Sequence, residues 1–165
     1  MTGRGSITFR LKMTSQPTGN LSRTYEACAE TTRTFGRVLA SVRQHHFVID
    51  GPVQNGCPGE APTPGEMFLS AAAACGAEVV QVLAREAEIP LEGVAVTARG
   101  TIDRARQPRT DVTVFTEVEL TLRLRGPDAA QAAELVAGFQ RRCPVYGSLA
   151  VASGNVEVRF ETAPC

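Results

Sequence analysis

Two of the five cysteines stand where a thiol could do chemistry. Cys75 follows a run of alanines, Ala71 to Ala74, and precedes Gly76, so little side-chain bulk surrounds its sulfur. Phe68, Ala71, Ala72, Cys75 and Val79 recur at helical spacing and share one stripe. The space beside such a thiol could admit a peroxide or a second sulfur; the plainer reading is a small buried hydrophobe, a common fate of free cysteine. Cys143 lies where a helix stops before Pro144, behind Arg141 and Arg142. Cations in a last turn answer the helix dipole, and Cys143 taken alone reads as a core residue at a helix end. Redox chemistry would require Cys75 and Cys143 to meet, which periodicity does not determine. Cys28, Cys57 and Cys165 form no CxxC pair with any neighbour and are assigned no role. The histidines are only the adjacent His45 and His46, so no zinc site is expected.

The elements that must position these thiols follow from pattern. Ile7 to Met13 alternates as a strand, and Pro17-Thr18-Gly19-Asn20 ends it. The chain is polar and ambiguous to Thr34. Phe35 to Val42 and Phe47 to Ile49 read as a hairpin across Arg43-Gln44-His45-His46. Asp50 to Pro64 is rich in Gly and Pro and reads as an irregular loop. Thr63 then supplies a capping hydroxyl, Pro64 a first helical residue and Glu66 a first-turn carboxylate. That helix is expected to run to about Glu88, ahead of Pro90. Its small residues on every face suit a central, buried position. Leu91 to Asp103 and Thr110 to Arg125 form a second hairpin, whose turn carries Arg104, Arg106 and Arg109 as solvated charges. A second helix opens at Pro127 and ends near Cys143, and Val156 to Glu161 closes as a strand. The order gives an α+β class.

At 165 residues, with 43% hydrophobic and 21% charged residues, the chain is one globular domain and needs no staple to fold. Zero net charge argues against a dedicated nucleic-acid binder. The longest uncharged apolar stretch, Met67 to Ala77, falls well short of the roughly 18–20 residues that span a bilayer, so no membrane association is expected. Met1 to Arg4 leads into alternating residues rather than a signal's apolar region, which gives a cytoplasmic expectation with reduced thiols.

Asp50-Gly51-Pro52, Gly56 and Pro62-Thr63-Pro64-Gly65-Glu66-Met67-Phe68-Leu69 leading to Cys75 resemble the central motif of the OsmC/Ohr family, the osmotically inducible and organic hydroperoxide resistance proteins. The likeness continues through Ala84 to Leu91, Val94 to Gly100 and Arg142-Cys143-Pro144-Val145-Tyr146. It spans about residues 35–162 of a single 1–165 domain, with a divergent segment before it. The resemblance implies an α+β OsmC-like fold with antiparallel sheets around a long buried central helix, in an intertwined homodimer with active sites at the subunit interface. It implies a thiol peroxidase acting on organic hydroperoxides, with Cys75 peroxidatic, Cys143 resolving, a dithiol such as dihydrolipoamide as reductant, and no bound cofactor or metal.

Peroxidase members of the family hold their thiolate with an arginine, itself held by a glutamate at the start of the central helix. Arg37 and Arg33 lie in the region matching the arginine, and Arg37 is the candidate activator. The glutamate position aligns with Gly65, so Glu66 is the candidate in its place. Nine residues at about 100° each put Glu66 half a turn from Cys75, which favours a first-turn role. Glu60 and Glu78 are the other carboxylates near enough to act, and Glu78 without a cation would raise the Cys75 pKa. The Pro-x-Glu form resembles the broader OsmC-like branch. A non-catalytic dimer binding small molecules or thiol ligands, or a redox sensor, is the alternative on the same fold.

Overall fold

The computed structural model describes residues 22–153 and 156–163; the strand expected over Ile7 to Met13 lies outside them. β1 (Cys28–Thr31), β2 (Arg37–Val42) and β3 (His45–Asp50) form an antiparallel sheet in that order. β2 and β3 pair from Arg37 against Asp50 to Val42 against His45. The turn is therefore Arg43-Gln44, with Arg43 in the left-handed region at φ 55°, and the two histidines belong to β3 rather than to the turn. β1 arises in the stretch whose sequence was ambiguous.

A loop with a short 3-10 turn leads to α1 (Pro64–Glu86). Its start follows the expected signals. The Glu66 amide donates to Thr63 Oγ1 at 3.3 Å, while the Glu66 carboxylate accepts from the Thr63 amide at 2.7 Å and its hydroxyl at 2.8 Å. Its end comes two residues early. Glu88 turns left-handed at φ 54°, and the Ile89 amide closes back on the Ala84 carbonyl at 2.9 Å. That closure satisfies the last carbonyls before Pro90 is reached.

β4 (Gly93–Thr101) and β5 (Glu117–Arg125) are antiparallel, shorter than their sequence patterns because residues 102–116 form a loop and a 3-10 turn. α2 (Ala129–Arg142) is capped by Asp128 rather than opened by Pro127. α3 (Pro144–Ser153) follows after one residue and has no counterpart in the sequence reading. β6 (Val156–Ala163) then joins the sheet beside β5, giving the order β4-β5-β6. The β5–β6 pair is parallel, which corrects the expectation of purely antiparallel sheets. A parallel neighbour requires a long crossover, and α2 with α3 supplies it.

Alternation in β5 builds the core. Val118, Leu120, Leu122 and Leu124 are at most 1% exposed, and they join Val80 and Ala84 of α1 with Leu135 and Phe139 of α2. The helices meet closely at glycines. A Cβ at Gly76 would lie 3.4 Å from Phe139 Cε2, and one at Gly138 would lie 2.9 Å from Leu83 Cδ1.

α1 is buried on one side only. Ala72, Gly76, Val79, Val80 and Ala84 are enclosed, whereas Phe68, Ala71 and Ala74 are exposed. An 18-residue window of α1 has mean hydropathy 1.7, enough by length and composition alone to cross a membrane. Counting uncharged runs missed this because Glu78 interrupts an otherwise apolar stretch.

Candidate active site

The close crossing of α1 and α2 brings the two cysteine contexts together. α2 ends at Arg142, and Cys143 turns extended at φ −79°, ψ 112° with its amide bonded to the Phe139 carbonyl at 2.9 Å. Cys143 is 2% exposed, and its sulfur lies 2.8 Å from Cys75 Sγ. Both are free thiols. The Tyr146 amide donates to Cys143 Sγ at 3.4 Å, and the Tyr146 ring packs on Phe139 with centroids 5.2 Å apart.

Cys75 lines a cavity of about 740 Å³ with Phe68, Val79, Val82 and Glu78 of α1, Arg142 of α2, and Val145 of α3. Arg23 and Tyr25 close another side. Burial pushes the Cys75 thiol up to about 11 from an ordinary 9.0, the adjacent Cys143 thiol adds to this, and Glu78 contributes least. A hydrogen bond from the Val145 amide partly offsets them. Within the protomer the thiol is thus held protonated at neutral pH. Arg142, which lines the same cavity, is held by both carboxylate oxygens of Glu86. Arg23 makes no ion pair among the described residues.

Arg37 stands elsewhere. Its Nε donates to Asp50 Oδ1 at 2.8 Å and its Nη2 to Asp50 Oδ2 at 2.8 Å and Glu60 Oε2 at 2.7 Å. Asp50 is fully buried and also accepts the Glu60 and Ala61 amides at 2.9 and 3.1 Å. The guanidinium holds the Asp50 carboxyl down to about 2, and the two carboxylates raise the Arg37 pKa. Arg37 does not line the Cys75 cavity of its own protomer. Glu66 serves its helix cap, with its pKa lowered by the Thr63 amide and hydroxyl. Glu60 is thus the second carboxylate on Arg37, and Asp50 is the organiser that residue-type reasoning did not single out.

The Cys57 sulfur sits between two glycines: a Cβ at Gly36 would lie 2.2 Å from it, and one at Gly51 would lie 2.4 Å away. Cys57 thereby packs the loop against the neighbours of Arg37 and Asp50. Cys28 is exposed on β1, and Cys165 lies outside the described residues. His46 Nδ1 and Ser41 Oγ are 2.7 Å apart across the β2–β3 pair. Arg106 and Arg109 pair with Asp103 and Asp111 at the surface. Among the described residues, no group of three His, Cys, Asp or Glu side chains could hold a metal ion.

Several solved structures share this architecture. An OsmC-like protein from Mycoplasma pneumoniae is 17% identical, with a TM-score of 0.70 over 87% of this chain and 99% of its own. An organic hydroperoxide resistance protein from Elizabethkingia anophelis, with thiocyanate bound, is 20% identical, with a TM-score of 0.69 over 88% and 99%. An organic hydroperoxide resistance protein from Vibrio cholerae, with captopril in one active site, is 23% identical, with a TM-score of 0.61 over 87% and 95%. None of the curated proteins matches the chain in sequence. The OsmC-like protein family matches residues 57–159, more than half of the chain and both cysteine contexts. The chain therefore belongs to the OsmC/Ohr family.

Proposed function

We propose that the protein is a thiol-dependent peroxidase that reduces organic hydroperoxides, with Cys75 peroxidatic and Cys143 resolving. The observation that carries this reading is the pair of free sulfurs 2.8 Å apart beside an open cavity. The Cys75 thiolate attacks the peroxide; an S–O bond forms as the O–O bond breaks, and the alkoxide takes a proton and leaves as an alcohol. Cys75 becomes a sulfenic acid. Cys143 attacks that sulfur, the S–S bond forms at about 2.05 Å, and water departs. A dithiol of the dihydrolipoamide class returns two electrons and two protons. Sulfur carries every electron in this cycle, so it draws on no bound metal or organic cofactor. A cytoplasmic setting suits it, because reduced thiols persist there.

The thiolate needs a cation, since Cys75 is pushed up to about 11. A homodimer answers this need. The β1–β3 sheet has no extensive contact with the helices or second sheet of its own protomer, and α1 leaves Phe68, Ala71 and Ala74 uncovered. A second copy seated on that face would bury it and bring its own Arg37, braced by Asp50 and Glu60, to the cavity. Substituting Cys75→Ser should abolish dihydrolipoamide-dependent consumption of an alkyl hydroperoxide, and Cys143→Ser should leave a Cys75 sulfenic acid that accumulates. Unchanged turnover in Cys75→Ser would end this reading.

A second reading, a dimer that binds thiol ligands without turnover, is favoured by the size and apolar wall of the Cys75 cavity and by the captopril bound to the Vibrio cholerae relative. A ligand-dependent rise in Tm with no peroxide consumption would select it.

A further inference from the structure

Cys143 belongs to two helices at once. Its amide closes α2 on the Phe139 carbonyl at 2.9 Å, and its carbonyl receives the Gly147 amide of α3 at 3.0 Å. With an extended backbone followed by Pro144 at the first helical position, Cys143 stands as the N-cap of α3. An N-cap ordinarily offers an oxygen to the amide three residues on. Here the acceptor is the sulfur, which receives the Tyr146 amide at 3.4 Å. The preceding amide, of Val145, is bonded to the other sulfur, Cys75. One turn of backbone therefore places one donor on each member of the sulfur pair.

We propose that the Tyr146 amide is a catalytic group of the resolving step, holding negative charge on Cys143 Sγ as that sulfur attacks the oxidised Cys75. This rests on the peroxidase reading and concerns its second chemical step. In that step Cys143 gives up its proton and its sulfur attacks Cys75 Sγ. The S–S bond forms, the Cys75 S–O bond breaks, and the departing hydroxide takes up the proton as water. The oxidant is the sulfenic acid that the peroxide produced. A hydrogen bond that strengthens when its acceptor becomes an anion acts more strongly on this step than on the ground-state thiol. The α3 amides lie within the protomer, so resolution is served by backbone and needs no cation from a second copy.

The test separates the amide from the ring. Tyr146→Ala keeps the N–H and removes the Phe139 contact; Tyr146→Pro removes the N–H in the first turn of α3, with backbone strain on helical Val145 before it. In full-length protein oxidised by an alkyl hydroperoxide, disulfide formation is the first-order phase independent of peroxide concentration. That phase should be about tenfold slower in Tyr146→Pro than in Tyr146→Ala. Equal rates would overturn the proposal. A second measurement needs neither peroxide chemistry nor the proline variant. In Cys75→Ser, the Tyr146 amide proton should shift downfield as Cys143 ionises, with Glu78 of α1, Arg142 of α2 and Arg23 the charged groups that line the adjoining cavity among the described residues. An amide that does not move with Cys143 would overturn the proposal even if Tyr146→Pro fails to fold. If no sulfenic acid forms in the wild-type protein, the peroxidase reading fails while this titration still decides the hydrogen bond.

Discussion

Burial, the Cys143 thiol and the Glu78 carboxylate push Cys75 toward its protonated form, and the Val145 amide alone pulls the other way. Of the arginines that could reverse this balance, Arg142 is committed to Glu86 and Arg37 to Asp50 and Glu60, whereas Arg23 lines the Cys75 cavity with no ion pair among the described residues. Asp50 gives the second of these a measurable signature. Its carboxyl is held at about 2 in the folded protein, below the ordinary 3.8. The stability it contributes is therefore complete above the ordinary carboxylate range and is lost as pH falls through about 2. Acid unfolding followed by circular dichroism should begin to weaken the wild-type protein below about pH 4. Asp50→Asn should be less stable at neutral pH and show a shallower acid limb. An acid limb of the same slope in Asp50→Asn would mean that the Arg37 pair is not what lowers the Asp50 carboxyl.

The loop between β3 and α1 depends on Cys57 lodging between Gly36 and Gly51, and the two glycines should answer differently to added bulk. A methyl at Gly51 meets chiefly the Cys57 sulfur, at 2.4 Å. Gly51→Ala should destabilise by about 1–3 kcal/mol, and Cys57→Ala in the same chain should restore most of that. Gly36 has φ +76°, and a methyl there would also lie 2.7 Å from Cys57 Cβ. Gly36→Ala should therefore stay destabilised in the Cys57→Ala background. Equal rescue at both sites, measured by denaturant unfolding of the double-mutant cycle, would contradict this packing. Local signals made much of the scaffold legible. The cap at Thr63 to Glu66, the alternation of Val118 to Leu124 and the stop at Cys143-Pro144 all announced their elements. α3 was not legible because Val145 to Ser153 is apolar on all sides and lacks a helical stripe. The parallel placement of β6 follows from the crossover, which no local pattern encodes. For the site, Cys75 and Cys143 stood out by context. Their meeting depends on the approach at Gly76 and Gly138, a tertiary fact. Asp50 was hidden because only its burial and its four hydrogen bonds distinguish it from any loop carboxylate.

The whole protomer carries unfinished surfaces. α1 is apolar enough to be enclosed, yet only 28% of its most apolar window is buried, and the N-terminal sheet stands largely free of the core. A homodimer that covers α1 with the partner's sheet would account for both features and would bring a braced arginine to Cys75. The wild-type protein should sediment as a dimer, and Ala71→Arg, which puts a charge on the exposed side of α1, should shift it toward monomer and slow Cys75 oxidation together. A dimer untouched by that charge would place the subunit interface elsewhere. Single-turnover oxidation of the reduced protein by an alkyl hydroperoxide, followed by mass mapping of the cysteines, tests the redox partnership of Cys75 and Cys143. Conversion to a Cys75–Cys143 disulfide should be fast and stoichiometric, with one alcohol released per thiol pair. Slow oxidation scattered over Cys57 and Cys28, with Cys75 and Cys143 left as thiols, would contradict it.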